Sequence, residues 1–274
     1  MEGTDLMKQP LSPRQQYLCG VKRRRKAVTA TQIALVVSFI GAWELLTAYN
    51  IADPFIFSSP SRIAKMLGTM ARSDLGYHIL ITVLETLAGF FIGVVLGVAI
   101  ATALWFFPFA NSVAAPFLVV LNSLPKIALG PVIIVWAGAG MSSIIVMAVA
   151  ISLVVTVMEL SGGFAATDKK LIVTLRSFGA DKRQIFTKAV LPCNVPVLFQ
   201  SLRVNIGLSL VGVIAGEFLV SKAGLGYLIV YAGQVFKMDL VMMSVLILGV
   251  IAFAMYHGVN VARQIVERKI NHYN

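Results

Sequence analysis

Apolar residues in this chain come in long runs separated by short polar or basic stretches. Carrying a helix across the hydrocarbon core of a bilayer takes about 20 apolar residues. Runs of that size predict six spans, at Ala27–Tyr49, His78–Leu104, Val113–Ala137, Ser142–Gly162, Pro196–Leu219 and Leu240–Ala262. Helices are expected because lipid offers no partner to an open backbone amide, and no run alternates as a barrel strand does. The expected class is therefore an all-α polytopic membrane protein. Two polar segments also carry a helical pattern. Ser59 to Leu67 has a serine positioned as an N-cap and spaced apolar residues, as in a short helix lying at the interface. The segment from Ala165 to Leu191 is longer and amphipathic.

Composition narrows the class further. The 274 residues are 58% hydrophobic and 13% charged, and the mean hydropathy is +0.86. That is about half the charge of an ordinary soluble chain, too apolar for a disordered one, and two cysteines are too few for a disulfide-stapled domain. The net charge of +11 suggests nucleic acid until its placement is read: Lys22-Arg23-Arg24-Arg25-Lys26 stands directly before the first apolar run. A cytoplasmic anchor belongs there, so no nucleic-acid partner is expected.

With the N-terminus inside, 16 of the 23 lysines and arginines, from Lys8 and Arg14 to Arg268 and Lys269, fall on the cytoplasmic side. Five fall outside, and both termini are expected in the cytoplasm. The chain then divides into a basic tail over 1–26, a transmembrane domain over 27–262 with the loop 165–192 between spans four and five, and a short tail over 263–274. The first run is longer than a signal-peptide core and no small-x-small site clearly follows it, so it is expected to be retained. Cys19 and Cys193 both fall on the reducing side with no metal-ligand spacing around them, and are read as free thiols.

The loop between spans four and five is much longer than a turn requires. Leu171, Leu175, Phe178, Ile185, Phe186 and Ala189 recur near helical spacing, with Lys169, Lys170, Lys182, Arg183 and Lys188 elsewhere. Gly179 interrupts the helix, and Leu191-Pro192 is expected to end it before the next span. Two short amphipathic helices joined at a glycine can dock in a groove of a soluble partner or rest on anionic headgroups. Both readings are open on physical grounds.

Particular residues here carry a resemblance. Thr174-Leu175-Arg176-Ser177-Phe178-Gly179-Ala180, then Gln184-Ile185-Phe186 and Val190-Leu191-Pro192, resemble the coupling loop of binding-protein-dependent ABC importer permeases. Gly179 and Leu191-Pro192 match the family pattern. Val173, Thr174 and Leu175 stand where Glu-Ala-Ala is usual, and Ala189 stands in place of an isoleucine. Trp43-Glu44-Leu45-Leu46, Ser58-Ser59-Pro60-Ser61, Leu124 to Pro131, Ser201-Leu202-Arg203-Val204 and Gly224 to Ile229 are similar to the same family. Together they resemble the branch that imports nitrate, sulfonates, taurine, bicarbonate and thiamine-pyrimidine precursors.

The resemblance implies a type I importer permease fold in a bacterial inner membrane. It also implies a second permease copy as partner, two cytoplasmic ATPase subunits and an extracytoplasmic solute-binding protein. Residues 173–180 with Leu191 and Pro192 would dock the ATPase. This chain has no Gly-Lys pair and hence no P-loop, so it is expected to bind no cofactor and to be no enzyme. ATP and magnesium would be used by the partner.

Other residues bear on the path through the membrane. Gly89, Gly93 and Gly97 let another helix approach closely, with packing inside the chain favoured over a dimer seam. Pro125 and Pro131 are expected to break span three, and a path is expected beside that break. Lys126, Arg203, Glu159 and Glu217 lie at or within span limits, and an intramembrane charge is a functional candidate by default. They are the path candidates, Lys126 foremost as a draw for an anion; alternatively they pair with one another or with carbonyls and set helix register. An ion-coupled secondary transporter is the alternative class, though it would need several intramembrane carboxylates and an inverted repeat. Ser209 with His257 superficially resembles a membrane protease pair, but the two sit at different depths and Leu210 follows the serine where a glycine is usual. No metal site is expected.

Overall fold

The computed structural model describes residues 13–271, as helices and turns with no strand among the described residues. Residues 1–12 and 272–274 lie outside that range, as do the side chains of 13–20, 267 and 269–271; Lys8, Arg14, Cys19 and Lys269 fall there. The chain forms two compact units, Met1–Ala64 and Lys65–Asn274.

The first unit is a long helix, α1 (Pro13–Ala48), and a capped turn. Asp53 accepts the Phe55 N–H at 2.8 Å and opens the short α2 (Pro54–Phe57). The short helix read from the sequence follows as α3 (Pro60–Met70), which runs on into the second unit. Ser59 caps it by accepting the Arg62 N–H at 3.4 Å, Pro60 fills the first position, and Glu44 accepts the Ser61 N–H at 3.0 Å. Donors left open at a helix start are thus met by side chains.

In the second unit, α4 (Leu75–Phe106) is followed by α5 (Pro108–Ser123), a 3₁₀ turn (Lys126–Leu129), α6 (Gly130–Ala137) and α7 (Met141–Ala165). Next come α8 (Lys169–Ser177), α9 (Lys182–Ile185), a π turn (Phe186–Val190) and α10 (Leu191–Cys193), then α11 (Val195–Val220), α12 (Leu225–Gln234) and α13 (Met238–Asn271). Among the described residues, five helical stretches are long and apolar enough to span a bilayer: Val21–Ala48, α4, α7, α11 and Met238–Val266. The expected third span is not straight. Its halves, α5 and Lys126–Ala137, meet at 87°. Leu124, which precedes a proline, is extended with φ −67° and ψ 138°, because a residue in that position is disfavoured in the α region. Pro131 then suits the first turn of α6, where no N–H is needed.

The centre of the unit is α7 held between α4 and α11. A Cβ added at Gly89 would overlap the Ala148 Cβ at 2.5 Å, and one at Gly212 would overlap the Ala148 Cα at 2.6 Å. Gly93 faces Ser152 and Gly97 faces Thr156, so the glycine stripe packs within the chain, in register with a small-residue stripe on α7. Ser152 and Thr156 donate their hydroxyls to the carbonyls of Ala148 and Ser152, each at 2.9 Å. This back-bonding hides their polarity and lets them line a close contact. In lipid, where apolar surface gains nothing from leaving water, such close packing is what holds helices together.

Candidate functional site

The structured loop is a hairpin of short helices. Asp168 caps α8 through the Lys170 N–H at 2.8 Å. At its end the Gly179 N–H donates to the Arg176 carbonyl at 2.9 Å and the Ala180 N–H to the Leu175 carbonyl at 3.0 Å. This double closure requires a left-handed residue, and Gly179 supplies it with φ +79°. Asp181 and Gln184 then form a reciprocal box, each accepting the other's backbone N–H at 2.6 and 3.0 Å, and start α9. Leu191-Pro192 does not end the helix as expected. The Leu191 N–H reaches back to the Phe186 carbonyl, the turn widens to π geometry over 186–190, and Pro192 continues in α10. Proline has no N–H and its ring crowds the preceding turn; widening relieves both, and the break falls at Asn194.

Two contacts tie the hairpin to the bundle. The Phe186 ring sits among Trp105, Phe106 and Phe164 at centroid distances of 5.0, 5.4 and 5.5 Å. Ile185, Phe186 and Val190 are buried together with Ala101, Leu160 and Phe164. Buried Asn194 donates to the Thr167 hydroxyl at 2.9 Å and the Val190 carbonyl at 2.8 Å, closing the base of the hairpin. Of the residues expected to dock a partner, Val173, Thr174, Arg176, Ser177, Phe178 and Gly179 are exposed, as are Leu191 and Pro192, while Leu175 and Ala180 pack inward. Phe178 is 83% exposed at the tip. The periodicity marked this surface, but the aromatic socket needed the structure, since its members come from two separate helices and the π turn.

The four path candidates are not brought together, and no ion pair joins any two of them among the described residues. Lys126 is half-buried and donates through Nζ to the Asn122 carbonyl at 3.0 Å, neutralising an open carbonyl at the end of α5. Half-buried Glu159 and Arg203 each keep a buried polar atom, Oε2 and Nε, without a hydrogen bond. Glu217 is buried: the Thr82 hydroxyl donates to its Oε1 at 2.7 Å and the Gly226 N–H to its Oε2 at 2.5 Å. A cavity of about 410 Å³ lies beside the broken span, walled by Ile127, Leu210, Ile214 and Phe218. Ser209 is buried, its Oγ bonds to nothing, and exposed His257 stacks on Phe253. Small-residue packing accounts for Ser209, and back-bonding does not.

The surroundings of Glu217 form a polar node at the end of the bundle opposite the hairpin. Its carboxyl lies so close to Gly224 and Gly226 that neither position has room for a Cβ. The Leu225 N–H donates to Thr82 Oγ1 at 2.8 Å and the Gly224 N–H to His78 Nδ1 at 3.0 Å. The start of α12 is thereby pinned to α4 and α11. Glu85, one turn along from Thr82, borders the node. An acidic residue inside an apolar run is a signal in itself; His78 and Thr82 offered none.

The fold is that of a multi-pass helical membrane protein with a structured hairpin at one end. The chain belongs to the family described as "Binding-protein-dependent transport system inner membrane component", matched over residues 93–272. It is an ABC importer permease, and the ion-coupled alternative is not supported. A probable ABC transporter permease protein of Haemophilus influenzae is 28% identical over 80% of this chain and 89% of its own length. The taurine transport system permease protein of Escherichia coli is 21% identical over 82% and 84%. In fold, the chain is similar to a chain from the inward-facing MetNI methionine ABC transporter, with a TM-score of 0.64 and 18% identity over 70% of this chain and 95% of that one.

Proposed function

We propose that two copies of this chain form the translocation path for a small solute that an extracytoplasmic binding protein delivers, with a cytoplasmic ATPase under each copy. The termini and the hairpin over 165–192 then face the cytoplasm, as the distribution of lysine and arginine supports. ATP and magnesium are bound by the ATPases. The solute class is a small organic or inorganic anion such as a sulfonate, taurine or nitrate, or a thiamine-pyrimidine precursor.

The observation that carries this reading is the two-sided hairpin. Phe178 stands free at the tip while Phe186 is locked among three aromatic rings. A lever needs both a gripped end and an anchored end. When ATP closes the ATPases, their grooves move the tips together, and each socket passes the load into α4 and α7. The spans then rock from inward-open to outward-open. The path lies beside the broken span, with Lys126 at its centre. If Lys126→Met leaves transport rate and anion preference unchanged, that assignment is wrong.

The test of the lever is Gly179→Val. Nothing lies within 4 Å of the position, so the added bulk meets only the left-handed backbone, at a cost of about 1–2 kcal/mol. The variant is expected to insert and to keep its ATPase, which hydrolyses ATP without uptake. Normal coupled uptake in proteoliposomes would refute the lever. Uptake by the parent protein is expected to stop with vanadate and to survive an uncoupler.

A further inference from the structure

At the hairpin end, a cavity of about 460 Å³ lies where the end of α4, the start of α5, the end of α7 and the start of α8 meet. Leu104, Trp105 and Pro108 give it an apolar wall, while Asn111, Ser161 and Lys169 bring an amide, a hydroxyl and an ammonium to it. The Ser161 Oγ is buried and has no hydrogen-bond partner. On the same helix Ser152 and Thr156 donate to the carbonyl one turn back, so the unbonded hydroxyl of Ser161 stands out. A buried polar atom left unmet costs about 1–3 kcal/mol, which a ligand in the cavity would offset.

The charge of the cavity selects that ligand. No acidic residue lines it, and Asp168, next to Lys169 in the chain, has one oxygen on the Lys170 N–H at 2.8 Å. No side chain caps the start of α5, so the first-turn amides after Pro108 add partial positive charge. Ammonium, amide and hydroxyl can all donate to an anionic oxygen. A lone water takes up about 30 Å³, a small part of the space, and makes no use of the apolar wall. Phe107 and Phe109, which flank Pro108, are exposed and carry apolar surface outward. An anion on a hydrocarbon stem fits both parts. Basic pockets between transmembrane helices on the cytoplasmic side suit anionic lipid headgroups.

We propose that this cavity binds the headgroup phosphate of an anionic phospholipid of the inner leaflet. Lys169, Asn111 and Ser161 take the phosphate, and the acyl chains run along Leu104 and Trp105. Placement in the inner leaflet rests on the cytoplasmic orientation of the hairpin proposed above. Trp105 also packs on Phe186, with ring centroids 5.0 Å apart, and Lys169 opens α8. Bound lipid therefore ties the first half of the hairpin to the socket that anchors its second half.

The test is native mass spectrometry of the purified full-length chain, titrated without ATPase with phosphatidylglycerol or phosphatidylcholine of the same acyl chains. The first phosphatidylglycerol is expected to bind about fivefold more tightly than the first phosphatidylcholine, the worth of one lysine beside anionic lipid. Lys169→Met, at an exposed position, is expected to abolish that preference. Ser161→Ala removes a hydroxyl that bonds to nothing within the chain, and is expected to weaken phosphatidylglycerol about threefold or more. Lys188→Met, at an exposed hairpin lysine that does not line the cavity, is expected to change neither lipid. Glycerol phosphate, which lacks acyl chains, separates a lipid site from one for free phosphate, and is expected to leave bound phosphatidylglycerol in place. Equal affinity for the two lipids, an unchanged preference in Lys169→Met and Ser161→Ala, an equal loss in Lys188→Met, or displacement by glycerol phosphate would overturn the site. Binding in detergent needs neither an ATPase nor an orientation, so these failures leave the importer reading standing; that reading fails separately, if no ATPase co-purifies with the chain.

Discussion

The two ends of the helical bundle are built on opposite physics. At the hairpin end, Phe186 is held by three aromatic rings, and two polar bonds from Asn194 close the base. At the other end, Glu217, Thr82 and the amides of Leu225 and Gly226 form a chain of directional bonds. An aromatic socket is strong but not directional, so it can bear load while its rings slide a little. A buried hydrogen-bond chain has one good geometry and fails if any member is lost. The hairpin end is suited to transmitting movement, and the polar end to holding a turn in place.

Phe186→Ala is expected to cut deepest into that contrast. It empties the socket and destabilises the anchored half of the hairpin by about 3–5 kcal/mol. Hydrolysis by the bound ATPase should persist while uptake is lost, with the opposite end unaffected; proteolysis should map new cleavage to 165–195 only. Gly93→Val comes next, because the added side chain meets Ser152 on a helix with no room to move. A loss of about 1–3 kcal/mol is expected, read as a lower unfolding temperature, and it strikes both ends equally since it parts α4 from α7. Glu217→Gln should cost a similar or slightly smaller amount. An amide presents one acceptor to two donors, Thr82 and Gly226, so one buried donor goes unmet at about 1–3 kcal/mol. Increased hydrogen exchange should be confined to 221–228. If exchange instead rises in the hairpin, the two ends are not independent. Gly179→Ala is the mildest, about 1 kcal/mol from the left-handed backbone, and should halve coupling while lowering the unfolding temperature by only about 2–4 °C.

Much of the molecule was legible before any coordinates. Span limits follow from run length, and the ends observed for α4, α7 and α11 differ from those expected by a few residues. Gly179 was marked by its place between two amphipathic stretches, and the glycine stripe on α4 by its spacing. These are local or periodic signals, each the consequence of one helix meeting lipid or one turn needing a left-handed residue. The 87° bend at Pro125 was legible as a break but not as an angle. The π turn was not legible: the same Leu191-Pro192 pair is compatible with a stop or with a widened helix, and only the anchoring of Phe186 selects the second.

What the chain determined by itself is therefore the number and limits of its spans, the distribution of charge across them, and the bent amphipathic hairpin. Hydrophobic length and backbone sterics act within a few turns and need no distant partner. Tertiary structure alone decided which aromatic rings grip Phe186 and which donors occupy Glu217. It also brought Glu85 beside Glu217. The outcomes include contacts between residues far apart in the chain, such as Thr82 and Glu217, and depend on how small residues let α4, α7 and α11 approach.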